Sequence, residues 1–216
     1  MDNKFAERGD EMSNKKPFTS KLETVFQKNA MNYFSELGSK QLPKIGNVYM
    51  LDVFLSADNC IELHYHYNAS ELVYVISGEV EVGLLNKETN EWETYRLERG
   101  EAISIPQGWW HYVCALKNHT HFLAIFDTRQ LETVFGSDIL WKTPDRMLAR
   151  IYCLDEKKVK EALEPIHETV VIGPPADCNR KWKDEEDIRE SKTVEGIQVQ
   201  VNMEEGEKKE SKKENE

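Results

Sequence analysis

The sequence lacks any long apolar run. None of its 216 residues belongs to a stretch approaching the roughly 18 apolar side chains that a membrane-spanning helix needs. The segment from Met1 to Arg8 is polar and has no apolar core typical of a secretory signal. The sequence therefore predicts no membrane partner, and we expect a cytoplasmic protein.

Basic residues are fewer than acidic ones. The chain has 28 Lys and Arg residues against 39 Asp and Glu residues, a formal net charge of -11. Because a phosphate-binding surface needs clustered Lys and Arg, this balance argues against nucleic acid as a partner.

Cysteines are few and form no C-x-x-C pair. The four of them, Cys60, Cys114, Cys153 and Cys178, are scattered along the chain. This usage is typical of a protein with reduced thiols in a reducing compartment, and we expect all four to be free.

Short strand-like segments dominate residues 45–127. Val48 to Leu55 is rich in β-branched and aromatic residues, Ile61 to His66 alternates, and Leu72 to Ile76 is a short apolar run. Polar turn residues separate these segments. Many short strands at close spacing predict an all-β core, a sandwich or barrel of antiparallel strands.

The flanking segments have other patterns. Residues 1–20 predict a mobile arm, and residues 21–44 predict one or two short helices. A helical extension is expected over residues 128–178, including Asp145–Tyr152 and Glu156–Leu163. Residues 179–216 are highly charged and predict a disordered tail, with one added strand over residues 197–201. An edge strand of this kind invites pairing between chains, so we expect a homodimer.

Three imidazoles and one carboxylate form the most specific pattern. His64 and His66 are two residues apart, so on a strand both rings point to the same face. Glu71 follows five residues after His66, and His111 comes from a separate segment. Three neutral nitrogens and one anionic oxygen suit a divalent transition metal, so we predict a metal site made of these four residues.

The spacing around these residues resembles the cupin family. Its first motif reads G-x5-H-x-H-x3,4-E-x6-G and its second reads G-x5-P-x-G-x2-H-x3-N. Besides the four ligand residues, the matching positions are Gly78, Gly100, Pro106 and Gly108. Asp58 and Ala115 depart from the expected Gly and Asn. The resemblance to germin-like and oxalate decarboxylase-type members implies a single jelly-roll barrel with one metal ion, Mn favoured and Fe, Ni, Co, Cu or Zn left open.

Further candidates flank the ligands. Tyr65, Trp109 and Trp110 are interpreted as pocket-lining residues, with simple packing as the alternative. Glu62 shares strand parity with His64, which makes it a candidate acid or base near the metal.

This sequence departs from the oxalate decarboxylase pattern at two features. Those enzymes have an Arg three residues before the first ligand His, and Ile61 stands there in this chain. An aliphatic side chain cannot replace a bidentate carboxylate clamp. In the segment after the barrel, Glu132 is the only nearby carboxylate for a proton-donor role and Arg129 the only nearby cation. We therefore expect weak or absent oxalate decarboxylation.

Three classes of function remain open. The first is a metalloenzyme, an oxidoreductase or lyase, acting on a small oxygenated molecule. The second is a metal-binding protein without turnover, in a storage, stress or spore role. The third is an isomerase or epimerase of sugars or sugar acids. A pocket lined by Arg, Lys and Glu favours an enzyme, whereas a pocket plugged by Trp109 or Trp110 favours the second class.

Overall fold

Twelve short strands and three short helices make up the part of the chain that the computed structural model describes, residues 19–175 and 178. The strands are β1 Glu23–Asn29, β2 Asn32–Leu37, β3 Tyr49–Leu55, β4 Cys60–His66, β5 Glu71–Ser77, β6 Glu79–Asn86, β7 Glu91–Glu98, β8 Ala102–Ile105, β9 His111–Ala115, β10 Thr120–Phe126, β11 Thr133–Phe135 and β12 Ile172–Gly173. The helices are α1 Gly136–Lys142, α2 Asp145–Tyr152 and α3 Glu156–Leu163.

Two antiparallel sheets enclose the core. The first has the order β1-β2-β3-β10-β5-β8, and the second has the order β11-β4-β9-β6-β7, with β12 also pairing with β4. Val73 and Val75 of the first sheet share one buried cluster with Val80 and Val82 of the second, all at 0% exposure. Their spacing of two reflects strands that turn one face to the core. The predicted all-β core with flanking helices is confirmed.

The turns between strands explain several motif positions. Gly78, Gly100 and Gly108 have φ angles of 80°, 90° and 75°, in the region that glycine adopts most easily. Asp58, which stands where the family pattern has Gly, also has a positive φ of 63°. Aspartate is one of the side chains that tolerate this region, so the substitution keeps the turn.

The N-terminal segment was predicted to be helical, and this prediction is wrong. Residues 23–37 form the hairpin of β1 and β2, and β2 pairs with β3 at the edge of the first sheet. The rings of Phe26 and Phe34 stack at 5.6 Å and pack against the buried core. The hairpin pairs with β3 and packs against the core through residues that lie far away in the sequence. These contacts outweigh the local helical pattern.

The C-terminal extension is helical as predicted over Asp145–Tyr152 and Glu156–Leu163. It also contributes two strands that were not predicted. β11 and β12 both pair with β4, the strand that carries two of the candidate ligands. The extension therefore continues the second sheet beside the candidate site.

The expectation of four free thiols is wrong for two of them. Cys60 and Cys114 form a disulfide, because they lie directly opposite each other on β4 and β9 with Cα atoms 3.9 Å apart. Cys153 and Cys178 are free. The paired cysteines are 54 positions apart in the sequence, so no local pattern predicts that they meet.

Some predictions fall beyond the described residues. The mobile arm, except for its last two residues, and the charged tail with its strand over 197–201 lie there, and the homodimer stays a prediction. Among the helices of the described segments, none is long and apolar enough to cross a membrane.

Replacing Gly78 by Ala tests the turn geometry. A Cβ at this position lies 2.4 Å from Thr120 Oγ1 and 2.7 Å from Thr120 Cα, whereas a Cβ at Gly100 meets nothing within 4 Å. Both substitutions carry the left-handed backbone penalty of about 1–2 kcal/mol. Gly78→Ala adds an overpacking cost of about 1–3 kcal/mol. Urea unfolding of both variants measures the difference, and equal losses of stability would contradict the close approach.

Candidate metal centre

His64, His66, Glu71 and His111 converge on one point between the two sheets. Each has at most 5% of its surface exposed, and their ligand atoms all lie within 4.8 Å of one another. β4 supplies the first two, Glu71 opens β5, and His111 opens β9 opposite His64. The predicted constellation is therefore present as a buried cluster.

Hydrogen bonds on the far side of each ring fix the imidazoles. His64 Nδ1 lies 2.6 Å from the carbonyl oxygen of Glu62, and His111 Nδ1 lies 2.9 Å from that of Trp109. A carbonyl oxygen can only accept, so these Nδ1 atoms carry the proton and each Nε2 keeps its lone pair. His66 Nδ1 lies 3.1 Å from the hydroxyl of Thr133. Contacts of this kind orient metal-binding histidines.

Three of the atoms that face the centre have no hydrogen-bond partner among the described residues. Nε2 of His66 and Nε2 of His111 lie 3.3 Å and 2.9 Å from Oε2 of Glu71, but all three atoms are buried without a hydrogen bond of acceptable geometry. Burying lone pairs unpaired costs free energy. A divalent cation removes this cost by accepting them, and three nitrogens with one carboxylate oxygen suit Mn, Fe, Co, Ni, Cu or Zn. These residues therefore fit such an ion.

The electrostatics favour an anionic Glu71. Burial alone raises its pKa, but the adjacent His111 and His66 outweigh burial and lower the pKa of Glu71 well below its usual range. Burial, followed by the neighbouring His111 and His66, lowers the pKa of His64. Burial also disfavours a charged His111, but the Glu71 carboxylate outweighs it and raises the pKa of His111. Because a metal needs neutral imidazoles, affinity for the ion falls as acidification protonates them.

An apolar cavity of about 200 Å³ adjoins the cluster, and His64, His66 and Glu71 are among its lining residues. Apart from the ligands, its polar lining residues are Thr133, whose hydroxyl contacts His66, and Tyr49, whose hydroxyl is bonded to Glu36. Among the described residues, no Lys or Arg lines it. The remaining lining residues are Val25, Phe34, Leu51, Val53, Ile61, Val113, Phe122, Ala124, Phe126, Leu131, Phe135 and Val171.

The residues predicted to line a pocket beside the metal lie elsewhere. The rings of Tyr65 and Trp110 contact each other at 4.7 Å in a surface groove, since strand alternation turns Tyr65 away from His64 and His66. Trp109 packs against the core and lines a separate cleft with residues of β7 and β8. Arg129 is exposed on the loop after β10. None of these four lines the cavity beside the candidate ligands, and a role for them in substrate binding stays a prediction.

Neither carboxylate predicted as an acid or base reaches the cavity. An irregularity in the pairing of β4 with β9 falls between Ile61 and His64, so Ile61 lines the cavity and Glu62 does not. Such a bulge shifts the alternation of side chains by one residue. Glu132 lies among the loop residues, where its Oε1 accepts a 3.2 Å hydrogen bond from Gln130 Nε2.

Thr133 is the polar residue that the sequence analysis missed. It lies on β11, opposite His66. This strand has only three residues, and the local sequence does not predict its pairing with β4. Leu131 and Phe135 from the same segment add to the apolar wall.

A family model described as Cupin matches residues 20–160. The chain belongs to the cupin family. This match includes the β1–β2 hairpin, all four candidate ligands and the helices α1 and α2. A search of curated proteins finds no match.

Solved cupin structures share the fold at low identity. Oxalate decarboxylase from Bacillus subtilis aligns with a TM-score of 0.65 and 23% identity over 82% of this chain and 43% of that chain. A second structure of that enzyme, from a study of its Mn(II) centres, aligns with a TM-score of 0.66 and 23% identity over 81% of this chain and 43% of that chain. The coconut allergen cocosin aligns with a TM-score of 0.62 and 18% identity over 71% of this chain and 42% of that chain. This cupin thus spans less than half the length of these proteins.

Metal content tests the four-ligand centre. We expect His64→Ala and Glu71→Ala to lower the bound metal from about one ion per chain to a small fraction, because each removes a side chain that would bind the ion directly. His119→Asn is the matched control, since His119 is exposed and Asn tolerates its positive φ of 58°. Elemental analysis after dialysis against each metal measures the outcome. Full stoichiometry in both ligand variants would refute the assignment.

Thr133→Val tests the outer contact to His66. The substitution removes the hydroxyl while keeping the shape, so metal affinity is expected to fall about 10–100-fold with little change in stability. Thr128→Val is the control, because that hydroxyl belongs to the same segment but bonds to the carbonyl of Gln130. Competition titration with a coloured chelator gives both dissociation constants, and an unchanged value for Thr133→Val would show that His66 needs no such support.

Proposed function

We propose that this cupin is a metal-dependent enzyme, an oxidoreductase or lyase, that acts on a small oxygenated organic molecule. One observation carries the proposal: the buried three-His, one-Glu cluster adjoins an apolar cavity of about 200 Å³. A centre that only stored an ion has no need of such a space. The metal we favour is Mn, with Fe, Ni, Co, Cu or Zn as alternatives.

The bound ion would supply Lewis-acid or redox chemistry at this place. The chain's own residues have three tasks. His64, His66, Glu71 and His111 hold the ion, and their outer hydrogen bonds keep the Nε2 lone pairs directed to it. The apolar wall keeps bulk water away from the reacting molecule, which strengthens electrostatic interactions within the cavity. Since no Lys or Arg of the described residues lines the wall, negative charge on the substrate would be met by the ion.

The cavity supports a substrate with an apolar body and one or two oxygen donors. A dicarboxylate such as oxalate has a second carboxylate that needs its own cation, and Ile61 lines the wall where the oxalate decarboxylase pattern has Arg. A sugar or sugar acid has several hydroxyls that an apolar wall leaves unpaired, at a cost for each. The isomerase hypothesis is therefore less favoured.

A non-catalytic metal-binding protein would be favoured if a tryptophan filled the pocket. Trp109 and Trp110 lie away from the cavity, and the cavity is not filled by them. This placement supports the enzyme over a storage or stress protein.

A substrate screen on metal-loaded protein tests the proposal. With Mn, Fe or Co bound, we expect turnover with alkyl- or aryl-substituted dicarbonyl or enol compounds, measured as O2 uptake and as product mass. Oxalate turnover is expected to stay about 100-fold or more below the roughly 10 per second of a typical enzyme, since each missing transition-state contact costs about 10² to 10³ in rate.

Glu71→Ala must abolish any turnover, and His119→Asn must retain it. Oxalate decarboxylation on the order of 10 per second would contradict the substrate class. A fully metal-loaded protein inactive on every compound would favour the non-catalytic alternative.

A further inference from the structure

Glu62 and Val171 form a linked pair beside the metal centre. We propose that Glu62 is a positioning residue, which orients the ligand His64 with its backbone and holds Val171 against the cavity with its side chain. The inference rests on the proposed metal centre and deepens it, because it assigns the residue that couples ligand geometry to cavity shape.

Every hydrogen-bonding group of Glu62 is engaged. Its carbonyl oxygen accepts from His64 Nδ1 at 2.6 Å, and its N–H donates to the carbonyl of Val171 at 3.0 Å. Oε1 accepts from Ser137 Oγ at 2.6 Å and from the N–H of Val171 at 3.1 Å, and Oε2 accepts from the N–H of Ser137 at 2.9 Å. Both oxygens of the carboxylate are therefore occupied by donors from Ser137 and Val171, which supports a positioning role for Glu62.

Val171 has an unusual backbone. Its φ is 59°, a region that a β-branched residue rarely adopts, and the N–H of Ile172 closes a three-residue turn onto the carbonyl of Val170 at 2.7 Å. Such a conformation persists only where the surroundings fix it, and it is concentrated at ligand sites. Glu62 provides that fixation, since it binds both the N–H and the carbonyl of Val171.

The strained turn places Val171 in the cavity wall. Val171 packs against the buried core cluster and lines the cavity, as do Ile61 of β4 and Phe135 of β11. The next residue, Ile172, pairs with Ile61 across β12 and β4. A shift of Glu62 therefore moves both the carbonyl that orients His64 and the wall that a substrate meets.

The donor arrangement makes Glu62→Gln a sharp test. All three groups at the carboxylate donate hydrogen bonds, and a glutamine has only one acceptor oxygen. Whichever way the amide is turned, its NH2 faces the N–H of Ser137 or that of Val171. The substitution keeps the size of the side chain but breaks the hold on one of these two segments.

The experiment uses Co²⁺ and fluorobenzene as probes of the purified full-length chain. Visible absorption of bound Co²⁺ reports the coordination, and ¹⁹F NMR titration reports binding of fluorobenzene, which an apolar cavity of this size can accept. Glu62→Gln is expected to weaken Co²⁺ binding about tenfold, to alter the Co²⁺ spectrum and to change the fluorobenzene dissociation constant. Val171→Gly, which suits a positive φ, is expected to leave Co²⁺ binding as in the wild type and to weaken fluorobenzene binding at least threefold.

Asp138→Asn is the matched control. Asp138 accepts a 2.7 Å hydrogen bond from Thr169 and so also links α1 to the segment before β12, whereas the side chain of Glu62 is bonded to Ser137 and Val171 instead. It is expected to lower thermal stability with no change in either probe.

Three results would overturn the inference. They are a Glu62→Gln variant that binds Co²⁺ with wild-type affinity and spectrum, an Asp138→Asn variant that weakens Co²⁺ binding as much as Glu62→Gln does, and fluorobenzene binding that is absent or equal in wild type and Val171→Gly. If Glu62→Gln does not fold, the fluorobenzene comparison still decides the role of Val171. Failure of the wild type to bind Co²⁺ would instead reject the metal centre itself, which keeps the two claims distinguishable.

Discussion

The structure depends on the burial of four lone-pair donors around one point. Nε2 of His66 and His111 and Oε2 of Glu71 are buried without hydrogen-bond partners in the described part of the chain, and the imidazole of His64 lies beside them. Desolvating such groups costs several kcal/mol unless something replaces the lost water. A divalent cation would do this for all four at once, and it would then contribute to folding as well as to the proposed chemistry. Two sheets that face each other are needed to bring these donors from β4, β5 and β9 to that point.

β4 both carries two of the candidate ligands and pairs with three other strands. It pairs with β9 on one side and with β11 and β12 on the other. The bulge between Ile61 and His64 allows an aliphatic side chain and two imidazoles to face the cavity while Glu62 turns to α1 and Val171. The strain at Val171, of order 1–3 kcal/mol for a residue in such a conformation, is offset by the hydrogen bonds that Glu62 makes. Ligand orientation and cavity shape thus share one structural element.

Local sequence patterns predicted the features that depend on residues close together in the chain. The spacing of His64, His66, Glu71 and His111 gave the cluster, the alternating segments gave the strands, and Asp145–Tyr152 and Glu156–Leu163 were recognised as helices. What depends on distant partners was missed. The β1–β2 hairpin needs the edge of β3, the Cys60–Cys114 pair needs the register of β4 with β9, and Thr133 needs β11 beside His66. Simple alternation placed Glu62 with the ligands, and a single bulge, which no local residue pattern announces, reversed that placement.

X-ray absorption at the edge of the bound metal tests the central claim most directly. The account predicts one ion per chain with three imidazole nitrogens and one carboxylate oxygen from the protein, at about 2.0–2.3 Å, and no sulfur ligand. The multiple-scattering pattern of imidazole counts the histidines. A spectrum with fewer than two imidazoles, or with sulfur from Cys153 or Cys178 in the first shell, would contradict the centre described for this cupin.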